Sequence, residues 1–147
     1  MQVKEVMTKD PACCTGDTPL AEVAKMMLDN DCGEIPVVDS QTGKVPVGVV
    51  TDRDIVCRTL AKGLNPVELT ATACMSKPIV TVGPDTSLEE CCRIMEEKMI
   101  RRVPVVDERG ACVGIVALAD IARQSSKSVA GEIVKEVSEP AAGAATA

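Results

Sequence analysis

The chain repeats itself, and that duplication limits its fold more than any other feature. Met7 aligns with Met75, Asp17 with Asp85, Leu20 with Leu88, Met27 with Met95, Pro36 with Pro104 and Asp39 with Asp107, all at an offset of 68. Past the segment Ser40–Lys44, the offset becomes 66, pairing Gly48 with Gly114, Asp54 with Asp120 and Ile55 with Ile121. The two-residue change falls between two short strands, where a hairpin loop tolerates a change of length. Fixed-offset similarity over most of a chain marks a tandem array of one structural unit.

Each copy predicts the order β-α-β-β-α. A short helical entry (Val3–Met7; Ala73–Met75) leads to an extended piece (Pro11–Thr15; Pro78–Val82). A helix follows, for which Thr18 with Pro19, and Thr86 with Glu89, supply start signals. Leu20, Val23, Ala24 and Met27, and likewise Leu88, Cys91, Cys92, Met95 and Met99, recur at the spacing of a helix with one buried face. Two strands come next (Ile35–Val38 and Val45–Thr51; Val103–Val106 and Ala111–Ala117), then a helix from Asp52 or Leu118. Each copy is too small to bury an adequate core alone. The expected units are residues 1–65 and 66–137, with a terminal helix at 129–137 and a disordered tail at 138–147.

Composition narrows the function. The 147 residues contain no Phe, Tyr or Trp, so Val, Ile, Leu, Met, Ala and Cys must build the core. A net charge of −6 argues against nucleic acid as the main partner. No apolar run approaches a membrane span and no signal peptide is evident, so a cytoplasmic chain is expected. The eight cysteines come with no His and no C-x-x-C pair, which leaves no usual zinc spacing. Cys91 and Cys92 align with Val23 and Ala24, and Cys74 with Val6, so thiols replace small apolar residues. Cys13–Cys14 and Cys91–Cys92 keep a thiol redox role open as an alternative. No nucleophile elbow, P-loop or activated cysteine points to catalysis, and no metal or required cofactor is expected.

Two stretches can carry a ligand. In Gly48-Val49-Val50-Thr51-Asp52-Arg53-Asp54-Ile55 a strand runs directly into a helix start, presenting backbone N–H groups with a hydroxyl and a carboxylate. Thr51 and Asp54 also fit a capping box. The second copy has Ala117 in place of the threonine but keeps Asp120, which capping alone does not require. The other stretch, Met99-Ile100-Arg101-Arg102-Val103-Pro104, has two adjacent arginines where the first copy has Gly33 and Glu34. Any phosphate site is therefore asymmetric.

Together, the paired I-P-V-V-D and V-P-V-V-D runs and the paired G-V-V-T-D-R-D and G-I-V-A-L-A-D runs resemble a tandem CBS-domain pair (a Bateman module). The resemblance covers about residues 1 to 125 and is greatest to small stand-alone bacterial CBS pairs. It implies a mixed α/β fold of two repeats packed sheet to sheet with pseudo-twofold symmetry, two clefts, homodimers, and adenosine-containing regulatory ligands (AMP, ADP, ATP, NAD or S-adenosylmethionine). In the first cleft it implies Thr51 and Asp54 at the ribose, Ser76, Pro78 and Ile79 around the base, and Arg53, Arg101 and Arg102 near phosphates. In the second it implies Asp120 at the ribose and Thr8, Pro11, Ala12 and Ile35 around the base. Ala117 and Glu34 there predict weaker binding of phosphorylated ligands. The expected role is regulatory rather than enzymatic, with an unidentified regulated protein as a possible partner. A ligand-free dimerisation or docking scaffold is the alternative of another class.

Overall fold

The structure is a computed structural model that describes residues 1–77 and 79–124. Pro78, the expected 129–137 helix and the 138–147 tail lie outside the described residues. Among the described residues, six short strands form two three-stranded sheets. β1 (Thr8–Lys9), β5 (Arg102–Val106) and β6 (Cys112–Ala117) make one sheet in the order β1–β6–β5. β2 (Cys14–Thr15), β3 (Glu34–Val38) and β4 (Pro46–Thr51) make the other in the order β2–β3–β4. The β3–β4 and β5–β6 hairpins share one register: Glu34 faces Thr51 as Arg102 faces Ala117, and both ladders shift at the last valine of the leading strand.

Helices α1 (Leu20–Asp29) and α3 (Leu88–Lys98) each bury the stripe that periodicity predicts, Leu20, Val23 and Met27 in one and Leu88, Cys91, Cys92 and Met95 in the other. Ala24 is exposed and Met99 leaves the stripe: it caps α3 in the left-handed region at φ 55° and is 45% exposed. The helix starts differ from expectation. α1 has Pro19 as its N-cap residue with no side-chain cap, while Ser87 caps α3 by accepting from Glu90 N–H at 3.1 Å. Thr18 and Thr86 instead turn back to accept from Thr15 and Gly83 N–H, both at 3.0 Å. The hydroxyls thus serve the backbone amides of the preceding turns instead of the helix starts.

The two cores exchange their entry segments. Val3, from the single 3-10 turn Val3–Glu5, is fully buried among Val82, Leu88, Met95, Val103 and Val116 of the second copy. Ala71 and Cys74, around the turn Ala71–Ala73, are buried with Leu20, Val23, Ile35 and Val50 of the first. The backbone bonds that fix the exchange obey the repeat: Val3 N–H to Thr86 O and Lys4 N–H to Pro84 O are matched by Ala71 N–H to Thr18 O and Thr72 N–H to Gly16 O, all at 2.9 Å. β1 then pairs with β6 of the other copy, and Ser76 bridges Val49 of β4. Two glycines permit these approaches. A Cβ on Gly48 would stand 3.0 Å from Ser76 O, and one on Gly114 would stand 3.1 Å from Thr8 O and 2.5 Å from Met7 Sδ. All eight cysteines are free thiols, five of them buried. No helix of the described residues is long and apolar enough to cross a membrane.

Candidate functional site

Helices α2 (Asp52–Arg58) and α4 (Leu118–Gln124) begin where β4 and β6 end, and their first turns hold the paired aspartates. Asp52 N–H donates to Gly33 O at 3.0 Å and Leu118 N–H to Arg101 O at 2.8 Å, so Gly33 and Arg101 fix the strand-to-helix corners through their backbones. At the first corner the capping box is complete: Asp54 N–H donates to Thr51 Oγ1 and Thr51 N–H to Asp54 Oδ2, both at 3.0 Å. At the second, half of it survives, because Ala117 N–H donates to Asp120 Oδ2 at 3.1 Å. Retention of Asp120 beside Ala117 is therefore not independent of capping, contrary to the sequence expectation. The amide of residue 117 needs an acceptor whether or not its own side chain offers one.

The entry-segment exchange brings each aspartate to the opposite copy. Ser76 Oγ donates to both Asp54 carboxylate oxygens at 3.2 Å. Arg58, one turn along α2, stands 3.7 Å from Asp54 Oδ1 and donates to Met75 O at 3.1 Å. Strand end, helix start and second entry segment thus converge on one half-buried carboxylate. Burial pushes the nearby Cys74 thiol up, with the Asp54 charge adding to the effect. Ile79 is half-buried beyond this point, and Arg53 is exposed with its amide turned to Asp52.

The second corner opens on a cavity of about 390 Å³. Asp120 and Ala117 line it together with Thr8, Pro11 and Ala12 of the first entry segment. Arg123 donates to Asp120 Oδ1 at 3.0 Å, much as Arg58 approaches Asp54. Ile35 lies instead in the first core, 1% exposed. Arg102 borders this cavity, since the hairpin register sets it opposite Ala117. Arg101 is exposed at the corner. Sequence reasoning missed Arg58 and Arg123, whose signal is their spacing of four and three residues from the aspartates on a helix. It also missed Asn30, Asp31 and Cys32, which reach the cavity from the turn after α1. Glu34 borders the cavity as well and is only 8% exposed. Burial, with Asp54 adding and Arg102 opposing, pushes its carboxyl up to about 7.

Sequence comparison settles the family of this duplicated unit. The family model of the CBS domain matches residues 3–58 and 71–127. The chain belongs to the CBS-domain family. As a CBS pair it is 34% identical over 121 residues to the uncharacterized protein MK0525 of Methanopyrus kandleri, a match covering 82% of this chain and 61% of that one. Among solved structures it superposes on Hypoxic Response Protein I with two coordinated zinc ions at a TM-score of 0.77 and 35% identity, covering 86% of this chain and all of the other. That relative is also matched in Mycobacterium tuberculosis, under the name Hypoxic response protein 1, at 34% identity. Among the described residues of this CBS pair, no group of three or more Cys, Asp or Glu is placed to hold a metal ion. The CBS pair of protein MJ0100, solved with 5-methylthioadenosine and S-adenosyl-L-methionine, matches at a TM-score of 0.74 and 29% identity over 84% of this chain and 94% of that one.

Proposed function

We propose that the protein is a regulatory module that binds adenosine-containing small molecules in the clefts between its two CBS repeats. One observation carries this reading: each first-turn aspartate meets the entry segment of the opposite repeat, Asp54 through Ser76 and Asp120 across a cavity from Thr8, Pro11 and Ala12. A carboxylate at a helix start, facing an entry segment of the opposite repeat with small apolar residues, matches a ribose diol with an attached base. The adenosyl complex of the MJ0100 pair supports the choice of nucleoside. In the first cleft Asp54 takes the ribose, Thr51 and Ser76 flank it, Ile79 holds the base, and Arg53 and Arg101 supply positive charge. In the second, Asp120 takes the ribose and Arg102 faces the 5′ substituent.

A ligand that spans both repeats changes their relative geometry to the extent that it binds the two arrangements differently. A homodimer relaying that change to a regulated protein is the corresponding mode of action, without chemistry on the ligand. With no Trp or Tyr, the purified chain has almost no aromatic absorbance of its own. A co-purifying adenine compound therefore dominates the ultraviolet spectrum, and mass spectrometry of an acid extract names it. Calorimetry with AMP, ATP and S-adenosylmethionine should show binding that Asp54→Ala and Asp120→Ala each weaken about tenfold or more. Equal affinity in wild type and both variants would remove the aspartates from the site, and no binding by any adenosyl compound would favour a ligand-free scaffold.

A further inference from the structure

The cavity before Asp120 has a wall that ribose and base recognition leave unused. Glu34 lines it while only 8% exposed. Among the described residues none donates a hydrogen bond to the Glu34 carboxylate, and none of their buried side-chain oxygens lacks a partner, so the Glu34 oxygens open onto the cavity. Register explains the placement: Glu34 is the first residue of β3 and faces Thr51, as its counterpart Arg102 faces Ala117. Both sit at the junction of the repeats, one buried and one exposed.

The cavity is lined by Lys9, Arg102 and Arg123 against Asp10, Asp31, Asp120 and Glu34, and of these charged residues Glu34 is the buried one. Arg123 is already held by Asp120, while Arg102 and Lys9 are exposed on the rim, where water and salt screen their charges. The Glu34 charge is buried and screened least. A 5′-phosphate would bring negative charge beside a desolvated carboxylate. A thioether brings none, and a sulfonium or ammonium group brings a favourable charge. We propose that Glu34 makes the Asp120 cleft select adenosyl compounds with an uncharged or cationic 5′ substituent over nucleoside phosphates. The proposal rests on the adenosyl reading of the clefts and adds their discrimination.

The test is calorimetry of the full chain at a pH of about 8, where a carboxyl near 7 is mostly ionised. AMP, 5′-methylthioadenosine and S-adenosylmethionine are titrated into wild type, Glu34→Gln and the double variant Glu34→Gln/Asp120→Ala. Wild type should prefer the two sulfur compounds at this cleft. Glu34→Gln should tighten AMP by up to about tenfold, the cost of protonating a carboxyl near 7 at this pH, leave methylthioadenosine within about twofold, and weaken S-adenosylmethionine. Adding Asp120→Ala should abolish the gain for AMP, which ties it to this cleft. Gln keeps the shape of Glu, and Glu34→Asp, which draws the charge back from the cavity, should shift the preference part-way if the first variant does not fold. An unchanged AMP affinity, or parallel changes for all three ligands, would overturn the role of Glu34 while leaving adenosyl binding intact. No binding of any of the three to wild type would overturn both readings.

Discussion

Glu34 and Arg102 occupy one position of the repeat with opposite charge, and their environments make that difference consequential. Burial raises the Glu34 carboxyl to about 7 from its ordinary 4.5. Between those pH values the folded chain keeps a proton that the unfolded chain has lost, so stability falls as pH rises through this window and levels off above it. The change amounts to at most about 3 kcal/mol. Asp17 and Glu90, held low by hydrogen bonds from Thr15 and Arg93, titrate below the window and leave it clear. Urea unfolding followed by circular dichroism should show a declining midpoint from about pH 5 to about pH 8 in wild type and a flatter profile in Glu34→Gln. At the upper end the variant should be about 1–3 kcal/mol more stable. Identical profiles would mean that the Glu34 charge is relieved by a group outside its described neighbours. The sequence showed that this position breaks the symmetry of the repeat. It did not show that Arg102 borders the cavity of Asp120, because only the hairpin register sets residue 102 opposite residue 117.

Among the elements, the strand-to-helix corners show how far pattern reading reaches. The Thr51–Asp54 box was legible from spacing and is made in full. The starts of α1 and α3 were legible only to within a residue, since Thr18 and Thr86 cap the preceding turns and not the helices. A hydroxyl can serve the amide on either side of it, and spacing alone does not say which. Thr51→Ala should therefore cost about 1 kcal/mol, and Ala117→Thr should return about half of that to the second corner by completing its box. Chemical denaturation of the two variants checks both signs. Gly48 sets a different limit. Its missing side chain lets Ser76 bridge β4, so Gly48→Ala sets a Cβ 3.0 Å from Ser76 O, a backbone atom, and presses the entry segment back from the strand by a few tenths of an ångström. The expected cost is about 1–3 kcal/mol. Binding at Asp54 should fall with it, since Ser76 reaches the carboxylate from that segment; a stability loss with unchanged binding would separate the two.

For the molecule as a whole, the duplication announced two equivalent units but not the exchange of their first segments. Offsets between matching residues are the same whether an entry segment packs into its own copy or into the other, so sequence similarity is blind to the difference. The exchange follows from the buried contacts of Val3 in the second core and of Ala71 and Cys74 in the first. It makes each core depend on residues from both halves of the chain, and it is what carries each cleft across the repeat boundary. The two cores should consequently unfold as one cooperative unit, because loosening either entry segment weakens the core of the other repeat and opens a cleft. Val3→Ala is the sharpest test, since Val3 is fully buried at the far end of the sequence from the core it fills. The substitution should cost about 1–3 kcal/mol. Hydrogen exchange should show protection lost from the amides of α3, β5 and β6 together with those of β3 and β4, in a single transition. Loss confined to residues 1–9, with the second core unchanged, would mean that the entry segment only rests on that core and that the repeats fold independently.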